Sequence, residues 1–155
     1  MTDELTAIIR LQTLLPQVTR FAFTAEAGAG SRTGWSGHGQ GSVQAAVNGD
    51  EIRFHESGHF TLAGQQPVVM RNLYCWRLQP ERVALAHERR GRDAAVALFD
   101  LVAADADTLV SEHHHQCAAD AYSARLHLLP EGFDLAWRIL GPRKDETLHY
   151  RYRLA

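Results

Sequence analysis

The sequence has few cysteines, no long apolar run and no excess of charge of either sign. Two cysteines, Cys75 and Cys117, are too few for a disulfide framework, and we expect both to be reduced thiols. No stretch approaches the roughly 18 apolar residues of a membrane span, and Asp3 and Glu4 stand where a secretory signal needs basic residues. These absences predict a cytoplasmic protein without a membrane segment.

The charge balance gives no reason to expect a polyanionic partner. The chain has 16 basic and 18 acidic residues for a net charge of −2, and the arginine-containing run 88–93 includes acids. We therefore expect neither nucleic acid nor an acidic membrane surface as a partner. No cofactor is expected, and nothing in the sequence excludes a homodimer. The 155 residues are predicted to form one domain, 1–155.

The first segment predicts a short amphipathic helix over residues 1–16. Apolar residues recur near the helical period from Leu5 to Leu15, Thr2 can cap the start, and Pro16 marks the end. Ahead of many strands, such a helix usually closes the end of a barrel or covers a sheet edge.

From residue 21 onward, apolar and polar residues alternate with the period of β-strands. Asn48-Gly49 is the clearest hairpin signal among the intervening turns. The predicted strands are 21–25, 35–47, 52–56, 59–62, 68–78, 82–88, 95–102, 109–129 (one bent strand or two), 133–140 and 147–154. About nine or ten sequential strands and one helix predict an all-β fold, an antiparallel up-and-down lipocalin-like barrel. A two-sheet sandwich is the alternative.

Three glycines, Gly37, Gly39 and Gly41, fall on one face of the second predicted strand. Such a series lets a strand bend sharply or lets another group approach closely. The pattern favours a bend at a barrel corner, with floor space for a ligand as the alternative.

Polar side chains end three predicted apolar faces. Glu56 follows Ile52 and Phe54, Arg77 follows Leu73 and Cys75, and His87 follows Val83 and Leu85. If these faces point inward, a carboxyl, a guanidinium and an imidazole approach the barrel interior. There they either satisfy one another, which the pattern favours, or orient a ligand.

The favoured hypothesis is therefore a barrel that binds a small, partly apolar ligand, with a carboxylate or phosphate as one option. The predicted polar contacts are Glu56, Arg77, His87, Tyr122 and Arg143, and the predicted walls are Trp76 and Trp137. One alternative is an enzyme that uses Glu56 and His87, or Asp120 and Tyr122, for acid–base chemistry. Another alternative is a solidly packed structural or interaction module.

The run from His113 to Cys117 contains familiar zinc ligands. In a strand, however, these two residues lie roughly 13 Å apart, too far to share one ion. We expect an exposed polar strand end and no metal. If a metal does bind, His115 and Cys117 are the candidate ligands, with His87 as a donor from another strand.

Several segments in the last two thirds of the chain resemble a family of small uncharacterised bacterial proteins, a domain of unknown function. The matching segments are Tyr74-x-Trp76, His87-Glu88-Arg89-Arg90-Gly91, Phe99-Asp100-Leu101, His115-x-Cys117-x-x-Asp120-x-Tyr122 and Trp137-x-x-x-Gly141-Pro142-Arg143-Lys144-Asp145. The Gly-Pro-Arg-Lys-Asp turn is the most distinctive of them. The resemblance implies a calycin-like barrel and brings no established activity with it.

Overall fold

The computed structural model describes residues 3–29, 36–89, 91–112, 115–117 and 120–155. Helix α1 (Asp3–Leu14) leads through a 3-10 turn at Leu15–Gln17 into the strands. The strands are β1 (Val18–Ala27), β2 (Gly37–Asn48), β3 (Glu51–Leu62), β4 (Val68–Leu78), β5 (Val83–His87), β6 (Val96–Asp105), β7 (Thr108–Ser111), β8 (His115–Cys117), β9 (Asp120–Leu129), β10 (Gly132–Leu140) and β11 (Asp145–Leu154). A second 3-10 turn lies at Arg92–Ala94, and none of the described helices is long and apolar enough to cross a membrane.

Ten of these strands close into an antiparallel barrel. Each strand from β1 to β6 pairs with the strand that follows it in the chain. β7 pairs with β9, and the ring continues through β10 to β11. The ring closes where β11 pairs with β1, with Val18 opposite Leu154. The short β8 pairs with β9 beyond β7. The predicted all-β barrel with one N-terminal helix is confirmed, and the two-sheet alternative is wrong.

Helix α1 closes one end of the barrel. Ala7, Ile8 and Leu11 are buried in the core, and the Arg10 guanidinium donates a hydrogen bond to the Ala106 carbonyl (3.0 Å) beside the β6–β7 turn. The α-helix stops at Leu14, and Pro16 lies in the 3-10 turn that follows. The predicted cap, Thr2, lies outside the described residues.

The interior next to the helix is packed solid. Trp76 is fully buried and meets the rings of Phe54 and Phe133 edge-on, with centroids 5.6 and 5.8 Å away. Leu11 and Leu15 are also fully buried. Large side chains among the described residues therefore fill this half of the barrel.

The glycines of β2 bring its backbone close to its neighbours. Gly39 is buried, and a Cβ there would overlap the Phe23 ring. Gly41 lies opposite Gly58 of β3, and a Cβ on either would overlap a backbone carbonyl of the other strand. The tight approach also keeps β3 continuous through Gly58, where the sequence predicts two strands.

Two further boundaries differ from the predictions. The 109–129 run contains β7, β8 and β9 rather than one bent strand or two. The β2–β3 hairpin turns at Gly49-Asp50, because Asn48 still pairs with Glu51. Gly49 has the positive φ of +63° that the turn requires.

Candidate functional site

A cavity of about 380 Å³ occupies the barrel end opposite α1. This end, called the mouth below, is where β1, β3 and β5 finish and β2, β4 and β6 begin. The cavity lies between side chains of several strands, and most of its wall is apolar. Its apolar lining is Phe23, Phe60, Val68, Val69, Met70, Leu98, Trp137, Ile139 and Leu148.

Three polar side chains of the lining form a connected group. The His87 Nε2 and Asn72 Oδ1 atoms lie 3.2 Å apart in a hydrogen bond. The Tyr74 ring packs on the imidazole with centroids 4.8 Å apart. Burial lowers the pKa of His87, and the nearby Arg89 lowers it further. The imidazole is therefore neutral at pH 7, with one nitrogen able to donate a hydrogen bond and the other able to accept one.

Two buried tyrosine contacts connect opposite walls below this group. The Tyr74 and Tyr150 hydroxyls share a hydrogen bond of 3.3 Å between β4 and β11. The Tyr152 hydroxyl donates a hydrogen bond of 2.6 Å to Glu56 Oε2 on β3. Both hydrogen bonds join strands that do not pair with each other in the sheet.

Glu56 itself is sealed in the interior at 1% exposure and does not line the cavity. Burial raises the pKa of Glu56 to about 8, against the opposing effect of the Tyr152 hydrogen bond. Its Oε1 atom has no hydrogen-bond partner among the described residues. The carboxyl is therefore mostly protonated at pH 7, and no substrate in the cavity can reach it.

Charged side chains stand around the mouth. Arg71 and Arg89 line the cavity and are exposed, whereas Glu146 lines it from a buried position. The exposed guanidinium groups can meet the charged end of a ligand at the rim.

Five predicted site residues lie in the barrel interior, and two of these line the cavity. His87 and Trp137 form part of its wall. Tyr122 is buried and packs on Trp137 with ring centroids 6.3 Å apart, and Glu56 lies below the cavity. Trp76 is also interior but belongs to the packed half near α1.

Arg77 does not lie on the inward face of β4, so the condition on which its predicted ligand contact depended is not met. Trp76 occupies the inward face of β4, so Arg77 points outward with Cys75 on the other face. There Arg77 is 59% exposed and forms an ion pair with Glu51 (3.3 Å). The apolar residues before it misled the prediction, because Cys75 is buried beneath side chains on the outer wall rather than inside the barrel.

The remaining predicted contacts lie near the mouth without lining the cavity. Arg143 is exposed in the β10–β11 turn. Asp120, proposed as the acid of an acid–phenol pair with Tyr122, forms an ion pair with Lys144 (3.6 Å) instead.

The candidate metal ligands lie in and around β8. In the backbone register, His115 is opposite Tyr122 and Cys117 is opposite Asp120. His113 lies outside the described residues, and the described part of the chain contains no group of three or more metal-ligating side chains. Cys75 is a free thiol, as predicted, and burial raises its pKa to about 11.

Asn72, Tyr150 and Tyr152 are polar residues of the interior that sequence reasoning did not select. The alternating pattern does place Tyr150 and Tyr152 on one face of β11, but aromatic residues on a strand ordinarily indicate packing. Their hydroxyl partners lie 76 and 96 positions earlier in the chain, on β4 and β3. No local pattern pairs them.

Comparisons with curated proteins and with solved structures find no match. The sequence profile of DUF6314, a family of unknown function, matches residues 20–154. The match leaves out α1 and includes nearly all of the barrel strands. It also extends the resemblance seen in the sequence well upstream of Glu56. The chain therefore belongs to the DUF6314 family of unknown function.

Proposed function

We propose that this protein is a lipocalin-like binding protein that holds one small, partly apolar molecule in the mouth cavity. The observation that carries the proposal is the combination of a packed half near α1 with an open volume of about 380 Å³ at the other end. This volume is in the range of small-molecule sites. It equals roughly 13 water molecules at the volume that each has in the liquid.

The lining supports a ligand with an apolar body and at least one polar group. Trp137, Phe23 and Leu148 offer apolar walls, whereas His87 and Asn72 offer hydrogen bonds at one place. A few convergent polar groups in an apolar cavity orient a ligand rather than supply most of its affinity.

The rim supports an acidic end group on the same ligand. Arg71 and Arg89 line the cavity where it meets solvent, and guanidinium groups bind carboxylates and phosphates with two parallel hydrogen bonds. We propose that the acidic group stays at the rim, where these two guanidinium groups are exposed. A cytoplasmic location is part of the proposal and agrees with the free thiol of Cys75.

The enzyme alternative has less support. Glu56 is sealed away from the cavity, and Asp120 is engaged by Lys144. Of the residues predicted for acid–base chemistry, His87 is the one that lines the cavity, and its pKa is lowered by burial.

Two fluorescent probes with one aromatic skeleton test the proposal: anilinonaphthalene sulfonate, which is anionic, and phenylnaphthylamine, which is uncharged. The larger side chain of Ile139→Trp fills the cavity and should weaken the binding of both probes by at least about tenfold. Leu140→Trp is the matched control, because the neighbouring side chain points outward at 45% exposure. Arg71→Gln should weaken binding of the sulfonate probe several-fold and leave binding of the uncharged probe unchanged.

Native mass spectrometry of the purified protein adds a search for copurified molecules. If neither probe binds the wild type, or if both tryptophan variants bind as the wild type does, the cavity is not a ligand site. If Arg71→Gln weakens both probes equally, the acidic end group is wrong and the apolar part of the proposal stands.

A further inference from the structure

A second hollow lies on the outer wall of the barrel, where β11, β1, β2 and β3 run side by side. It has a volume of about 600 Å³, is open to solvent, and has no described lining residue in common with the mouth cavity. Its polar lining is Arg20, Gln40, His59, Arg151 and Arg153. The hollow is therefore a candidate site that is independent of the proposed function.

The fold brings these arginines together from the two ends of the chain. Arg20 on β1 lies directly opposite Arg153 on β11, and Arg151 is two residues away on the same face. Residues two apart along a strand are separated by roughly 6.7 Å. Like charges placed directly opposite in an antiparallel pair destabilise the sheet unless an anion lies between them.

The positive charge of the hollow is only partly neutralised. Arg153 forms an ion pair with Asp134 at 2.9 Å, although this contact lacks hydrogen-bond geometry. Arg153 also donates hydrogen bonds to the Tyr152 carbonyl (2.9 Å) and the Phe133 carbonyl (3.3 Å). Arg20 and Arg151 are exposed, and neither has an acidic partner within the part of the chain that the structure describes. One carboxylate thus faces three guanidinium groups.

We propose that this hollow binds the phosphate group of a small molecule. Two guanidinium charges without acidic partners match a phosphate that carries close to two negative charges near neutral pH. The planar fork of arginine fits phosphate oxygens, and the side chains of Gln40 and His59 supply further donors.

The lining favours a small phosphorylated molecule over a single-stranded nucleic acid. The only aromatic carbon ring in the hollow belongs to Phe21, which is 3% exposed. Proteins that bind single strands stack exposed aromatic side chains on the bases, and this wall offers no such surface. The net charge of −2 gives no indication of this site. The arginines that form it also lie far apart in the sequence, so no basic run predicts it.

Isothermal titration calorimetry of the full chain with inorganic phosphate, at low ionic strength, tests the proposal. We expect binding with one phosphate per chain and no binding of glycerol. Arg20→Gln and Arg151→Gln should each weaken phosphate binding by about tenfold or more. Arg125→Gln is the matched control, because Arg125 is an exposed arginine of β9 outside the hollow, and its change should stay below about twofold.

Thermal melts show whether each variant is folded, and phosphate should raise the Tm of the wild type but not of Arg20→Gln. The proposal is overturned if phosphate does not bind, or if all three variants weaken binding equally. It is also overturned in favour of a polyanion if a short DNA duplex binds while phosphate does not.

Discussion

The buried carboxyl of Glu56 makes the stability of the protein depend on pH in a specific way. The side chain accepts the 2.6 Å hydrogen bond from Tyr152 and is otherwise surrounded by the barrel interior. Burial raises its pKa from 4.5 to about 8. Because the folded state holds the proton more tightly than the unfolded chain does, this group does not penalise folding below pH 4.5. The free energy of unfolding falls as the pH rises from 4.5 toward 8.

The size of this effect follows from the two pKa values. Each pH unit within that window lowers the free energy of unfolding by at most about 1.4 kcal/mol. Between pH 5 and pH 7 the loss attributable to Glu56 is about 2.5 kcal/mol. Glu56→Gln keeps an oxygen for the Tyr152 hydroxyl and cannot ionise. The variant should therefore gain about 2.5 kcal/mol relative to the wild type over the same interval.

Urea denaturation of both proteins at pH 5, 6 and 7 measures this difference. Comparing the two proteins at each pH cancels the titration of all other groups. Glu81→Gln, an exposed glutamate in the β4–β5 turn, is the control and should show no pH-dependent difference. If the difference between Glu56→Gln and the wild type is the same at all three pH values, the carboxyl ionises at no cost and the reasoning is refuted.

Two further pairs of variants test packing and charge by urea denaturation. Gly41→Ala should destabilise the protein by about 1–3 kcal/mol, because a Cβ overlaps the carbonyl of Ser57. Ser42→Ala, on the outer face of the same strand, is the control and should change the free energy of unfolding by less than about 0.5 kcal/mol. Equal effects of the two variants would contradict the close approach of β2 and β3. Glu88→Gln should cost about 2–3 kcal/mol, because the largely buried Arg53 loses the negative charge of its 2.9 Å partner and keeps that of Glu51 at 3.5 Å. Arg77→Gln, which breaks an exposed ion pair, should cost below about 1 kcal/mol. A greater loss of stability in Arg77→Gln than in Glu88→Gln would contradict this assignment.

The barrel could be predicted from the sequence because its signals are local. Alternation places Phe54 and Glu56 on one face, and the same rule places Tyr150 and Tyr152 together. Each short turn limits its strands to antiparallel neighbours, so the order of strands follows the order of the chain. The closure of β11 on β1 follows once the fold is predicted as an up-and-down barrel.

The site could be predicted only in part, because its geometry depends on pairs that lie far apart in the chain. His87 was predicted from its position at the end of an apolar face and Trp137 as an aromatic wall residue, and both line the cavity. Arg77 was misplaced, because the buried Cys75 made the outward face of β4 resemble an inward one. The arginine hollow could not be predicted, since Arg20 and Arg153 meet only when the barrel closes.

The pairing of β1 with β11 also has a consequence for the order of folding. The barrel cannot close before β11 has left the ribosome, so the earlier strands must wait as an open sheet with two unpaired edges. Contacts between such distant segments slow the search for the native state, and the folding of sheet proteins rich in them takes milliseconds to seconds. During synthesis, α1 precedes the strands and can cover part of this sheet. A chain that lacks β11 would keep the edges of β1 and β10 exposed and would be prone to aggregate through them.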